Sequence, residues 1–365
     1  MVFNPDRLVL ARQRRGRTKT DVARAVKLTT RSLYDFENGT DPALATLEML
    51  ANELRFPMSF FYRSTVPTPS PGAASFRSLK SMTAGQRDAA LAAGAIAFEL
   101  SSWIDTQFEL PPVDVPSIRD EEPEAAALMV RAHWQIGERP IGNLIHLLES
   151  KGVRVYSLAE RSKSVDAFSL WHEGVPFVFL NTNKTAEHSR MDAAHELAHL
   201  ALHRHGGPQG QNVEREAQAF ASAFLMPASS VLSIVRKFTA PTLRHLVQLK
   251  RNWGVSVGAM NYRLHALEVL TDWQYRMLCI EIAKHGRTRE PDGLPRESSQ
   301  LLTKVFASLR DSGTTKSDVA KELGIYTEDL DALIFGLAMS PVGEGRPRAD
   351  AGADARRRHL RLASK

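Results

Sequence analysis

The sequence predicts an α+β fold that is mostly helical, and three observations predict it. Residues 5 to 62 break into a string of short, capped helical segments. One cluster of short apolar strands, between residues 153 and 181, is enough for a small antiparallel sheet and no more. Nearly every other segment carries helical spacing, out to Leu333. At 365 residues the chain is long enough for two or three domains. The expected division is a helical module at 1–63, a linker at 64–75, a helical scaffold at 76–122, a central domain at 123–270, a helical region at 271–340 and a disordered tail at 341–365.

Composition sets limits on partners and compartment. The net charge of +6 is compatible with a polyanionic partner without demanding one. Cys279 is the one cysteine, which rules out an internal disulfide and argues for a reducing compartment. Met1-Val2-Phe3-Asn4-Pro5 leads into a charged amphipathic segment, so no signal peptide is expected, and no apolar run approaches a membrane span. These readings predict a cytoplasmic protein with no membrane partner.

The amino-terminal elements follow from their caps. The first helix runs from Asp6 to Arg14 with Leu8, Leu10 and Ala11 inward, and Gly16 breaks it. Thr18 caps a second helix with Val22, Ala23 and Val26 on its core face. Thr29 caps a third, Thr30 to Glu37, with Leu33 and Phe36 buried and Asn38-Gly39 closing it. Helices at Leu44–Leu54 and Pro57–Tyr62 complete the five. A short helix, a tight turn and a second capped helix make a helix-turn-helix arrangement. Thr18-Lys19-Thr20-Asp21-Val22-Ala23 and Leu28 to Gly39 resemble the lambda-repressor-like (XRE) helix-turn-helix family. That resemblance implies a duplex-DNA partner, with the third helix in the major groove. Mapped onto this chain, its reading face is Thr29, Thr30, Arg31 and Tyr34, with Lys19 on the preceding helix. Arg reads guanine edges bidentately, and hydroxyls bond phosphates or bases. Lys19 stands where the family often has glutamine, which moves that contact towards phosphate.

Ser64 to Ser75, with Pro67, Pro69 and Pro71, reads as a semi-extended linker separating the DNA-binding module from the rest. A long Ala-rich helix follows from about Thr83 to Phe108, with a stripe of Leu91, Ile96, Leu100, Trp103 and Ile104 and no evident chemistry. After a Pro-rich break at 110–116, helices are expected at Pro123–Trp134 and Asn143–Ser150. Val153–Leu158, Ala167–Trp171 and Pro176–Asn181 read as three antiparallel strands, with His172-Glu173-Gly174 as the hairpin turn between the last two.

The chemistry concentrates in Arg190-Met191-Asp192-Ala193-Ala194-His195-Glu196-Leu197-Ala198-His199-Leu200-Ala201-Leu202-His203. On a helix His195 and His199 leave one face a turn apart, so two neutral imidazoles can chelate one Zn²⁺. Glu196 can reach a zinc-activated water without ligating the metal, which is the H-E-x-x-H peptidase pattern. Two histidines leave a catalytic zinc short of a protein ligand, and the helix Val213–Leu225, ended by Pro227, offers carboxylates. Glu216 shares a face with Phe220 and Ala223 and is preferred. Glu214 lies about 200° round, nearer solvent. Asp192 competes from the motif helix but is better placed to orient a ligand.

Phe179-Leu180-Asn181, Arg190 to His203, and Glu214-Arg215-Glu216-Ala217 through Leu225-Met226-Pro227 resemble the ImmA/IrrE-type metallopeptidases over about residues 123 to 270. The resemblance implies a zincin-like domain with His195, His199 and Glu216 as zinc ligands and Glu196 as general base. Ala198 replaces a common glycine and Gln218 a common asparagine, and neither change removes a ligand. His203 is also common in such sequences, in a second-shell or structural place or donating to a developing oxyanion.

The remainder reads as helices at Leu243–Arg251, Ser256–Leu267, Trp273–Lys284, Ser298–Leu309, Lys316–Leu323 and Thr327–Leu333, with a charged loop at 286–297. Thr315 to Ile325 echoes Thr18 to Ala23, but the helix after it is acidic at Glu328, Asp329 and Asp331, so it reads as a packing or dimerisation copy, compatible with a homodimer. Arg356-Arg357-Arg358-His359 in the tail can add non-specific nucleic-acid affinity. Together these readings predict a DNA-binding regulator of transcription, in stress response by resemblance, whose zinc-dependent endopeptidase domain cleaves a repressor- or toxin-like protein partner. The alternative is a transcription factor whose peptidase-like domain senses a signal or holds a partner without hydrolysis.

Overall fold

The computed structural model describes residues 2–69, 75–76, 82–158, 167–203, 210–236, 241–284 and 290–338. The expected tail at 341–365, the middle of the linker at 70–74 and most of residues 204–211, a loop by their Gly and Pro content, lie outside the described residues.

The amino-terminal module consists of α1 (Pro5–Arg14), α2 (Lys19–Ala25), α3 (Thr30–Glu37), α4 (Leu44–Leu54) and a 3-10 turn at Met58–Tyr62. The caps of α2 and α3 are those the sequence predicts. Asn4 accepts from the Asp6 amide, Thr18 and Asp21 form a reciprocal capping box, and Thr29 accepts from the Ser32 amide. Leu8, Val22, Leu33, Leu50, Phe60 and Phe61 fill the core without measurable exposure. Glu37 ties three helices together: Arg12 donates to its Oε1 at 2.5 Å, and Lys19 Nζ lies 2.9 Å from its Oε2.

The module is docked on the rest of the chain, which corrects the expectation that the linker keeps it apart. Fully buried Arg7 forks onto Glu99 with both bonds at 2.7 Å. Arg15 forks onto Asp329 at 2.6 and 2.8 Å while donating to the Leu54 and Arg55 carbonyls. Arg63 donates to the Glu322 carbonyl, and Trp103 Nε1 to the Glu322 carboxylate at 2.6 Å. Isolated patterns of helical spacing say nothing of these contacts, because each one joins residues far apart in the chain.

After β1 (Ser75–Phe76) comes α5 (Ala84–Gln107), opened by a capping box between Thr83 and Gln86. From Ala89 to Phe98 it is buried on every side, because alanine lets both the sheet and the amino-terminal module approach its backbone. α6 (Pro123–His133) and α7 (Leu144–Ser150) lead into β2 (Arg154–Ser157), β3 (Ala167–His172) and β4 (Val175–Leu180). β3 and β4 form the expected hairpin, and Glu173 (φ 48°) and Gly174 (φ 80°) take the left-handed conformations such a two-residue turn requires. β2 departs from expectation. It pairs in parallel with β4, so the sheet is mixed, in the order β1-β3-β4-β2. All four residues of β2 are buried, which agrees with a strand covered on both faces.

α8 (Ala186–Leu202), the motif helix, lies between this sheet and α9 (Gln211–Leu225). α10 (Ala228–Val235), α11 (Leu243–Trp253), α12 (Val257–Ala266) and α13 (Asp272–Lys284) follow, then α14 (Gln300–Asp311), α15 (Lys316–Leu323) and α16 (Thr327–Ile334). The α15–α16 echo packs within its own chain, where its acidic Asp329 serves as the anchor for Arg15. Among the described residues no single helix is long and apolar enough to cross a membrane.

Glu149 at the end of α7 caps α14, accepting from the Gln300 and Leu301 amides and from Ser299. Burial pushes its carboxyl up to about 7, against the lowering effect of those donors and of Arg154. The folded state therefore holds a proton that the unfolded chain releases near pH 4.5. Stability from this group is full below that pH and is lost as pH rises through about 7. Chemical denaturation at pH 5 and pH 8 should show the wild type losing roughly 2–3 kcal/mol more than Glu149→Gln over that interval. Equal losses would refute it.

Candidate functional site

α8 can serve as the centre of a site because it is buried almost throughout, with Ala193, Ala194, Ala198 and Ala201 giving its neighbours close approach. Its start is held by two buried ionic groups. Lys250, with no exposure, lies 2.9 Å from Glu187 and 3.2 Å from Glu290. Arg190 donates to the Trp253 carbonyl at 3.1 Å and to the Ile141 carbonyl, and pairs with Glu297. Gly254, the left-handed cap of α11 (φ 68°), permits this: a Cβ there would stand 3.0 Å from Arg190 Nε.

One turn apart on α8, His195 and His199 bring their Nε2 atoms to 3.1 Å from each other. Tetrahedral zinc with two Zn–N bonds of about 2.0–2.1 Å separates its nitrogen donors by about 3.3 Å, so the pair fits one ion. Glu214 completes the group, with Oε2 3.1 Å from His195 Nε2 and Oε1 3.6 Å from His199 Nε2. The three donors lie within 4.8 Å of one another. Burial, then the neighbouring His195 and His203, hold His199 well below the usual imidazole range, which favours the neutral form a metal needs.

The spacing argument favours Glu216, and the structure puts Glu214 beside the histidines instead. Glu216 meets His203, with Oε2 3.1 Å from Nε2. The cause is that α9 is covered by two helices, α8 on one side and α6 on the other. Apolar spacing marks the joint face and does not tell its edges apart. Gln218, one turn beyond Glu214, reaches Met191 of α8. The row Glu214–Gln218 is therefore the edge that looks at the motif helix. His203 in turn places its Nδ1 3.2 Å from His199 Nδ1. The line Glu216–His203–His199 runs behind the donor group, a place for orienting a ligand imidazole. Asp192 is buried and pairs with Lys184 at 3.1 Å.

Glu196, next to His195 on α8, has no exposure. Ser169 Oγ of β3 donates to its Oε2 at 2.7 Å. Sequence reasoning missed Ser169. The signal was a lone hydroxyl inside the apolar strand Ala167-Phe168-Ser169-Leu170, where a buried polar group needs a partner.

The second candidate surface is the start of α3. Thr29, Thr30, Arg31 and Tyr34 are all exposed and adjacent there. Arg31 pairs weakly with Asp35 at 3.2 Å and keeps 80% of its side chain exposed. Lys19 is differently engaged, paired with Glu37 and lying 4.7 Å over the Tyr34 ring.

Comparison with known families accords with both surfaces. A helix-turn-helix family model matches residues 8–61. The peptidase M78 model, described as the IrrE N-terminal-like domain, matches residues 148–265, from the end of α7 to the end of α12. No curated protein matched the chain. The chain thus joins a helix-turn-helix domain of the XRE type to an IrrE-like domain of the peptidase M78 family.

Proposed function

We propose that the chain is a DNA-binding regulator whose second domain is a zinc-dependent endopeptidase acting on a regulatory protein. The observation that carries this reading is the convergence of His195, His199 and Glu214 on one point, with Glu196 held on the same helix by Ser169. A zinc ion in that place supplies Lewis-acid chemistry, polarising a peptide carbonyl and making a water molecule acidic near neutral pH. His195, His199 and Glu214 would hold the ion. Glu196 takes the water's proton and returns it to the leaving amine. Ser169 fixes the orientation of the Glu196 carboxylate, and Glu216 acting through His203 fixes that of the His199 ring. The test is to incubate the zinc-loaded chain with extract from its own cells and read new amino termini by mass spectrometry. Zinc-dependent cleavage of a discrete protein is expected. Identical termini with and without chelator would leave only a DNA-binding protein with a non-hydrolytic partner domain.

The DNA contact in this reading is made by α3. Arg31 has little to give up on binding, since an exposed pair such as Arg31–Asp35 contributes about 0–1 kcal/mol. Arg31→Ala should weaken operator binding by about 1–3 kcal/mol and relax specificity at one base pair. Lys19→Ala should act differently, loosening Glu37 and Tyr34 and weakening all sequences alike. Titration with DNA from the chain's own promoter checks both, and unchanged affinity for Arg31→Ala would remove it from the reading face.

A further inference from the structure

β3 has two hydrogen-bonding edges. One is filled by β4 along the whole strand, from Ala167 opposite Leu180 to His172 opposite Val175. Among the described residues the other is met by β1, antiparallel, with Ser75 opposite Ser169 and Phe76 opposite Phe168. Ser169 is the residue whose hydroxyl holds Glu196. Ser75–Phe76, from the chain's own inter-domain segment, therefore pairs with the sheet edge at the residue that holds Glu196.

A free strand edge is a template for another extended backbone, and main-chain bonds alone give it affinity. Among the described residues β1 pairs with two of the six residues of β3. A strand that pairs with more of the edge competes with this contact. The segment leading to β1 is fastened at its start to the DNA-binding module: the Ser64 carbonyl accepts from Arg7 Nε at 2.8 Å, and Thr65 donates to Asp6 at 2.8 Å. It then passes over α5, where Pro69 Cγ would lie 3.5 Å from a Cβ placed on Gly94. From Pro69 to Ser75 the chain can span at most about 20 Å, so the position of the module and the occupancy of the edge are mechanically linked.

We propose that Ser75–Phe76 is an intramolecular occupant of the edge by which β3 takes up an extended protein substrate, so that linker and substrate exclude each other. This rests on the peptidase reading above for what the edge is for, and its test is independent of hydrolysis. In the full-length Ser75→Pro, Phe76→Pro double variant, whichever residue faces the edge loses its N–H donor. A labelled synthetic peptide of residues 72 to 80 serves as the probe, read by fluorescence anisotropy. The variant should bind it at least about tenfold more tightly than the wild type, whose own segment competes at high effective concentration. Equal binding, or binding to neither, would overturn the proposal. Hydrogen exchange on the unmodified chain decides the matter even if the variant does not fold. Slowed exchange at Ser75–Phe76 and along Ala167–Ser169 is expected, and exchange at the rate of an unpaired segment would overturn it. Tight peptide binding by the variant without any hydrolysis would support the occupancy while removing the endopeptidase activity, so the two failures are distinct.

Discussion

Glu196→Gln should lower peptide-bond hydrolysis by about a hundred- to ten-thousand-fold, the usual cost of removing a general base. The substitution keeps the size of the side chain and an oxygen to accept from Ser169 Oγ, now 2.7 Å from Oε2. Glu196 is not among the donors that converge with His195, so bound zinc and thermal stability should hold close to wild type. The measurement is cleavage of the substrate found by amino-terminal profiling, with zinc content determined on the same preparation. Full activity in the variant would remove Glu196 as the base. A normal promoter response in cells carrying an inactive variant would mean that regulation runs without hydrolysis. Because Arg7 and Arg15 dock the DNA-binding module directly on α5 and α16, operator affinity is worth measuring in the same variant.

Glu214→Ala should cost more than about a hundredfold in zinc affinity, whereas Glu216→Ala should cost about tenfold, the lower end of what a group behind a metal ligand contributes. The difference follows from position. Among the described residues Glu214 reaches both His195 and His199, while Glu216 reaches His203. The His195→Ala, His199→Ala double variant should lose zinc altogether. Competition against a chelator of known affinity gives the ranking, with elemental analysis as the check. Zinc lost in Glu216→Ala and kept in Glu214→Ala would reverse the assignment.

Much of the site was legible in the residues. His195 and His199 share a face by helical geometry alone, and the two rings do meet at 3.1 Å. The caps Thr18 and Thr29 and the Glu173-Gly174 turn are local devices, complete within a few residues, and each stands where the sequence puts it. What was not legible lies between elements. The hydroxyl of Ser169 gains meaning only because β3 runs beside α8.

By itself, the sequence determined the order and type of most elements, the exposed face of α3 and the pair of imidazoles, since these depend on spacing, capping and charge along one segment. Tertiary structure alone decided that Glu214 rather than Glu216 meets those imidazoles, that β2 joins β4 in parallel, that β1 lies on β3, and that the DNA-binding module is docked through Arg7 and Arg15. The physical reason is common to all of them. Periodicity states which face of an element must leave water, and any apolar neighbour satisfies it, whereas the choice of neighbour is made by packing and ion pairs between residues distant in the chain.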